Sequence, residues 1–201
     1  MKKLLLSLVA VAGIAFGTQA QTEKGKFIVG GTVGLNSTKE DGADKADFKF
    51  EVSPSVGYFV SDNFAVGTGV GYAYDKEVSR GSLTQGFQVA PFGRYYVGLS
   101  DQFKFFGQLA VPMVFGNMKD VDEVTGDVGD KTGSVTHIGV KLSPGFAFFP
   151  TKRVGIEVSV DGLGYSNTSL KDEATGIKTK TNSFGLDAST ITPKLGVMFH
   201  F

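Results

Sequence analysis

Six charged residues stand at mid-segment positions where side chains could meet one another: Glu51, Arg94, Lys141, Glu157, Asp161 and Lys194. Carboxylates and cations in such numbers can neutralise each other as buried ion pairs, because an unpaired buried charge is costly. The chain offers little else to chemistry. Its two histidines, His137 and His200, are far apart, and it has no cysteine, so a tetrahedral zinc set lacks ligands. Acidic residues crowd in "KDVDEVTGDVGDKTG" at Asp120, Asp122, Glu123, Asp127 and Asp130. Calcium takes such oxygen ligands, but the glycine and glutamate spacing of an EF-hand loop is missing, and a solvated loop is the simpler reading. Gly67, Gly69 and Gly71 are evenly spaced, yet they alternate along an extended segment and do not open a helix, so they form no phosphate cradle. No catalytic residue, metal or cofactor is expected. What the six charges do depends on the elements that carry them.

Those elements begin after residue 20. Met1-Lys2-Lys3 is a basic start, Leu4 to Phe16 is apolar, and Thr18-Gln19-Ala20 ends in a small residue. This pattern predicts a cleavable secretory signal peptide over residues 1–20 and a mature domain over 21–201. A membrane anchor fits less well, because the apolar run falls short of the ~20 residues a spanning helix needs. Without cysteines, disulfides cannot staple the fold in an oxidising compartment. The formal net charge is zero, which gives no electrostatic footprint for nucleic acid. Glycine reaches 28 and phenylalanine 18, a pairing that suits curved β-structure better than helices.

The mature region alternates with period two in eight successive segments, each apolar at every second place. They run Phe27 to Leu35, Phe48 to Val60, Phe64 to Tyr74, Phe87 to Val97, Phe103 to Phe115, Ile138 to Phe148, Val154 to Gly162, and Ile191 to Phe201. Short connections, Ser61-Asp62-Asn63, Ser100-Asp101-Gln102 and Pro150-Thr151-Lys152, alternate with longer polar ones at 37–47, 75–84, 117–135 and 167–183. An even number of strands with short and long loops segregated to opposite ends predicts an all-β, eight-stranded antiparallel up-and-down transmembrane β-barrel. The complementary parity is small or charged, as at Lys49, Glu51, Gly67, Gly69, Arg94, Lys141 and Glu157. Lipid outside and a polar lumen satisfy both faces. Tyr58, Phe64, Tyr95, Phe103, Phe148, Phe199 and Phe201 near the short turns, and Phe48, Tyr72, Tyr74, Phe87 and Phe115 near the long loops, would form two interfacial girdles. Pro54, Pro91, Pro112, Pro144 and Pro193 fall inside strands, and each must sit at a bulge or a locally unpaired place because proline donates nothing to the ladder.

On this topology and on the closing segment "KLGVMFHF", the sequence resembles the small eight-stranded outer-membrane β-barrel family of the OmpX/OmpA type, with a Bacteroidetes-like outer membrane protein β-barrel domain. The resemblance implies location in the cell outer membrane. It also implies a C-terminal sorting signal read by the barrel-assembly machinery, which Lys194, Gly196, Phe199 and Phe201 match in spacing.

Eight strands leave an interior just wide enough for side chains to fill. Arg94 and Lys141 are therefore expected to pair with Glu51 and Glu157 in a network that plugs the lumen. The favoured function is a structural or surface-interaction barrel, an anchor for display rather than bulk transport, with contacts to outer-membrane lipid and to an extracellular partner through the four polar loops. A narrow porin-like channel is the alternative. A lipid-modifying enzyme is third, since such enzymes resemble this architecture but need an apolar lumen pocket. A closed barrel has no free edge, which favours a monomer.

Overall fold

The computed structural model describes residues 22–39, 45–160, 162–186 and 194–201. The expected signal peptide, Asp161, Pro193 and the side chain of Lys194 lie outside the described residues. Eleven strands are formed among those described: β1 (Phe27–Thr38), β2 (Asp47–Ser61), β3 (Phe64–Glu77), β4 (Ser82–Gly98), β5 (Phe103–Ala110), β6 (Met113–Val121), β7 (Val128–Phe148), β8 (Val154–Ser159), β9 (Leu163–Asp172), β10 (Lys178–Leu186) and β11 (Lys194–His200). They make eight antiparallel barrel strands, because β5 with β6, β8 with β9, and β10 with β11 are successive parts of one strand each. β5 and β6 pair with β4 on one side and β7 on the other. The ring closes where β1 pairs with β11, from Ile28↔His200 to Gly31↔Val197.

The interruptions follow the prolines. Pro112 separates β5 from β6, and Pro91 lies where β4 passes from one to the other, so that only its carbonyl is used, accepting from the Val111 amide. At Pro54 the β2–β3 ladder skips from Val52↔Tyr72 to Ser55↔Gly69. Pro144 faces the break between β8 and β9, where the register on β7 shifts by one residue between Gly145↔Ser159 and Lys141↔Gly164. Each of these four prolines sits where no donor is required of it. The shift at Pro144 also ends the single parity expected from Val154 to Gly162. A one-residue slip moves side chains to the other face, and beyond it Leu163 and Tyr165 are the exposed residues, in phase with neither Val160 nor Gly162.

The apolar parity faces outward. Val29, Val56, Val66, Val89, Leu109, Val140, Val158 and Val197 are all exposed hydrophobics on the barrel wall, as lipid contact requires.

The polar stretches differ from expectation. Most of 117–135 and 167–183 is strand: β6 reaches Val121, β7 starts at Val128, β9 reaches Asp172 and β10 starts at Lys178. Above the membrane both faces of a strand meet water, so the apolar alternation that reveals strands disappears from the sequence. What remains is a pair of matching turns. Asp122 accepts from the Thr125 amide at 2.7 Å, and Asp172 accepts from the Thr175 amide at 2.7 Å. Gly126 and Gly176 follow at φ +73° and +67°, the left-handed conformation that glycine adopts without strain.

Candidate functional site

Four pairs of adjacent aromatics lie beside the short turns: Tyr58-Phe59, Tyr95-Tyr96, Phe105-Phe106 and Phe148-Phe149. Neighbours in a strand point to opposite faces. One member of each pair faces outward, and the other fills the barrel interior. Phe59, Tyr96, Phe106 and Phe149 are buried and form one core with Ile28, Ala65, Ala147 and Met198. Tyr96 stands 5.8 Å from Phe59 and 5.6 Å from Phe106, ring centre to ring centre, and His200 packs edge-on against Phe149 at 5.1 Å. Glycines on the wall make room for these rings. A Cβ on Gly145 would clash with the far edge of the Phe106 ring, and one on Gly67 would come within 2.6 Å of the neighbouring Phe92 ring.

Over this aromatic floor lies the one buried ion pair among the described residues. Arg94 Nη1 donates to Glu157 at 2.7 Å, with side-chain exposures of 8% and 5%. Tyr96 supplies a hydroxyl to Glu157 Oε1 at 2.9 Å, and Arg94 Nε donates to Gln108 Oε1 at 2.8 Å. The guanidinium also rests over the Phe106 ring, 4.5 Å from its centre. Charge and hydrogen-bonding capacity are thus met inside a low-dielectric space, which is the condition for a buried pair to persist.

Of the other expected members, Glu51 stands apart from this pair. Glu51 and Lys141 line the same lumen cavity as Arg94 and Glu157, but Glu51 is exposed. Its place on β2 is above the aromatic floor, and none of the ion pairs among the described residues includes it. Lys49 instead pairs with Asp75 at 2.6 Å, higher on the same wall. Gly69 and Ala90 also line that lumen cavity. A separate cavity of about 470 Å³ runs along His137, Gly139 and Lys141 on β7, Gly164 and Ser166 on β9, and Ser183 on β10, with His137 Nδ1 2.9 Å from Thr168 Oγ1. Among the described residues no group of three or more His, Asp or Glu side chains is placed to hold a metal ion.

A second seal lies below the aromatics. Thr22 is buried; its hydroxyl bonds Asn63 Oδ1 at 2.7 Å, and Lys104 Nζ reaches the same hydroxyl at 2.7 Å. The Asn63 amide donates to the Thr22 carbonyl at 2.7 Å, and Asn63 itself takes φ +63°. Sequence reasoning left out this latch and the inner aromatics, although the aromatic doublets announce the latter.

At the outer end, the turns are braced to one another. Ser79 donates its hydroxyl to Asp47 Oδ2 at 2.9 Å, Lys76 bonds the Gly126 carbonyl, the Val121 amide bonds the Gly81 carbonyl at 2.9 Å, and Lys131 pairs with Glu173 at 3.2 Å. Asp122 is held below the usual carboxylate range, chiefly by the Thr125 amide and next by that of Val124. Its charge serves the turn.

A closed antiparallel barrel with an apolar outer face defines a small outer-membrane β-barrel protein. The chain belongs to the outer membrane protein beta-barrel domain family, which matches it over residues 6–199, and it resides in the outer membrane. Its structure is similar to that of Neisserial surface protein A, with 11% identity, 89% of this chain and 98% of that chain covered, and a TM-score of 0.51. It is also similar to the outer membrane protein OprG from Pseudomonas aeruginosa, at 16% identity, 91% and 99% coverage and a TM-score of 0.49. A major outer membrane protein from Thermus thermophilus aligns at 13% identity, 89% and 100% coverage and a TM-score of 0.48. At 11% identity the likeness to Neisserial surface protein A is one of fold. No curated protein matches the chain.

Proposed function

We propose that this protein is a structural and surface-interaction barrel, a non-enzymatic, monomeric anchor that carries a braced extracellular rim. The observation that carries the reading is the buried cluster inside the barrel: Arg94, Glu157 and Tyr96 pack over Phe59, Phe106 and Phe149, and in this reading they close the lumen to solutes. The rim supports it as well. Extended strands ending in cross-braced turns present a fixed polar surface, suited to recognition because little ordering entropy is lost on contact. In this reading the extracellular partner meets the tips within 37–47, 75–84, 117–135 and 167–183. The segment with Lys194, Gly196, Phe199 and Phe201 serves as the sorting signal for the barrel-assembly machinery. Single-channel recording in planar bilayers tests it. The expected result is the absence of large stable openings; sustained openings of porin size would favour the channel reading, for which the open outer cavity is the supporting feature.

A further inference from the structure

The outward face of the β9–β10 hairpin changes chemistry row by row. Its register runs without a shift from Leu163↔Leu186 to Lys171↔Lys178, so alternate residues stay on one face throughout. Tyr165 and Phe184 lie opposite each other and are 49% and 75% exposed, in line with the lipid-facing Val140 on β7. One row higher, Asn167 Nδ2 donates to Asn182 Oδ1 at 2.7 Å, and the Tyr165 hydroxyl donates to the same oxygen at 3.1 Å. Above these, Ser169 faces Lys180, and then Lys171 faces Lys178. One strip of wall therefore passes from aromatic, through amide, to three ammonium groups.

The top of the strip is electrostatically unsatisfied. Like charges directly opposite on one face of a sheet are destabilising. Among the described residues the ion pairs use Lys49, Arg80, Arg94 and Lys131, and none uses Lys171, Lys178 or Lys180. The carboxylates of the hairpin are engaged elsewhere. Asp172 accepts from the Thr175 amide and hydroxyl, and Glu173 pairs with Lys131. Three cations just above the lipid-facing wall call for an anion at the height of the membrane surface, and lysine stems are long enough to bring their charges to it.

We propose that this strip is a binding site for the phosphorylated headgroup of an outer-leaflet lipid. The acyl chains lie on Tyr165 and Phe184, the polar linkage meets Asn167 and Asn182, and the phosphates take Lys171, Lys178 and Lys180. The continuity of the strip with the lipid-facing wall selects a lipid over a free anion, since a free anion gains nothing from the aromatic row.

Native mass spectrometry of the full-length barrel in neutral detergent tests this, with lipid A carrying two phosphates as the probe. Parallel arms use the same lipid stripped of its phosphates, and inorganic phosphate as competitor. The bisphosphorylated lipid is expected to bind at least about tenfold more tightly than the stripped one, with equimolar inorganic phosphate leaving it in place. That pair of arms needs no variant. The Lys171→Gln, Lys178→Gln, Lys180→Gln triple variant, shown folded by heat-modifiable migration, is expected to lose that preference. Arginines at the three positions are expected to keep it, and Lys152→Gln at a periplasmic turn is expected to leave it unchanged. Equal binding of the two lipids, displacement by equimolar phosphate, or an undiminished preference in the triple glutamine variant would overturn the proposal.

Discussion

The two halves of the lumen solve the same geometric problem in opposite ways. The periplasmic half is filled: large rings press against glycines, and one ion pair is sealed over them. The outer half is bare: Gly69, Gly71, Ala73 and Ala90 carry its inward parity, and its charges are exposed, Lys49 pairing with Asp75 and Glu51 standing outside the ion pairs of the described residues. Both halves have glycines at the same inward parity, so the residue type alone does not tell a packed wall from a hollow one. The difference lies in whether an aromatic on a neighbouring strand reaches the space that glycine leaves. Stability resides in the first half and access in the second.

The two halves are expected to differ most at the ion pair. Replacing Glu157 by Ala strands the Arg94 charge among aromatics and is expected to cost about 3–5 kcal/mol, read as a lowered urea midpoint of the folded barrel in lipid. Substituting Glu51 by Ala in the outer half should leave the midpoint in place. Next comes crowding. Gly145→Ala drives a methyl into the Phe106 ring and is expected to cost about 1–3 kcal/mol by overpacking, seen in the same unfolding curve.

A third effect is local to the outer rim. The Asp122 pKa is depressed in the folded turn, so its contribution is fully present above the ordinary aspartate value. It fades as pH falls through the lower, folded-state value. Amide hydrogen exchange at Thr125 should rise below that point, with the exchange of the aromatic core unchanged. The smallest effect is expected at Gly69→Ala. The nearest atom to the added Cβ is the Pro54 carbonyl oxygen at 3.6 Å, and the change should stay within about 0.5 kcal/mol. A cost at Gly69 equal to that at Gly145 would erase the distinction between the two halves.

The sequence by itself determined the barrel. Period-two alternation in a chain with segregated short connections leaves few other folds, and the outward parity at Val29, Val66, Val140 and Val197 follows directly from it. The prolines were legible too, because proline can sit only where a ladder donor is dispensable. Charges at Arg94 and Glu157 could be assigned to the interior by parity alone. Which of the inward cations and carboxylates would meet, and the exposure of Glu51, could not, because strand tilt and register around a closed ring decide which inward residues share a level. The tertiary structure alone showed that the polar stretches at 117–135 and 167–183 continue as strands. Above the membrane, no apolar face records a strand in the sequence. It also decided the parity beyond Pro144, where one extra residue turns every later side chain of that strand to the other face. Local pattern reports which way a side chain points, and only closure of the ring reports what it meets there.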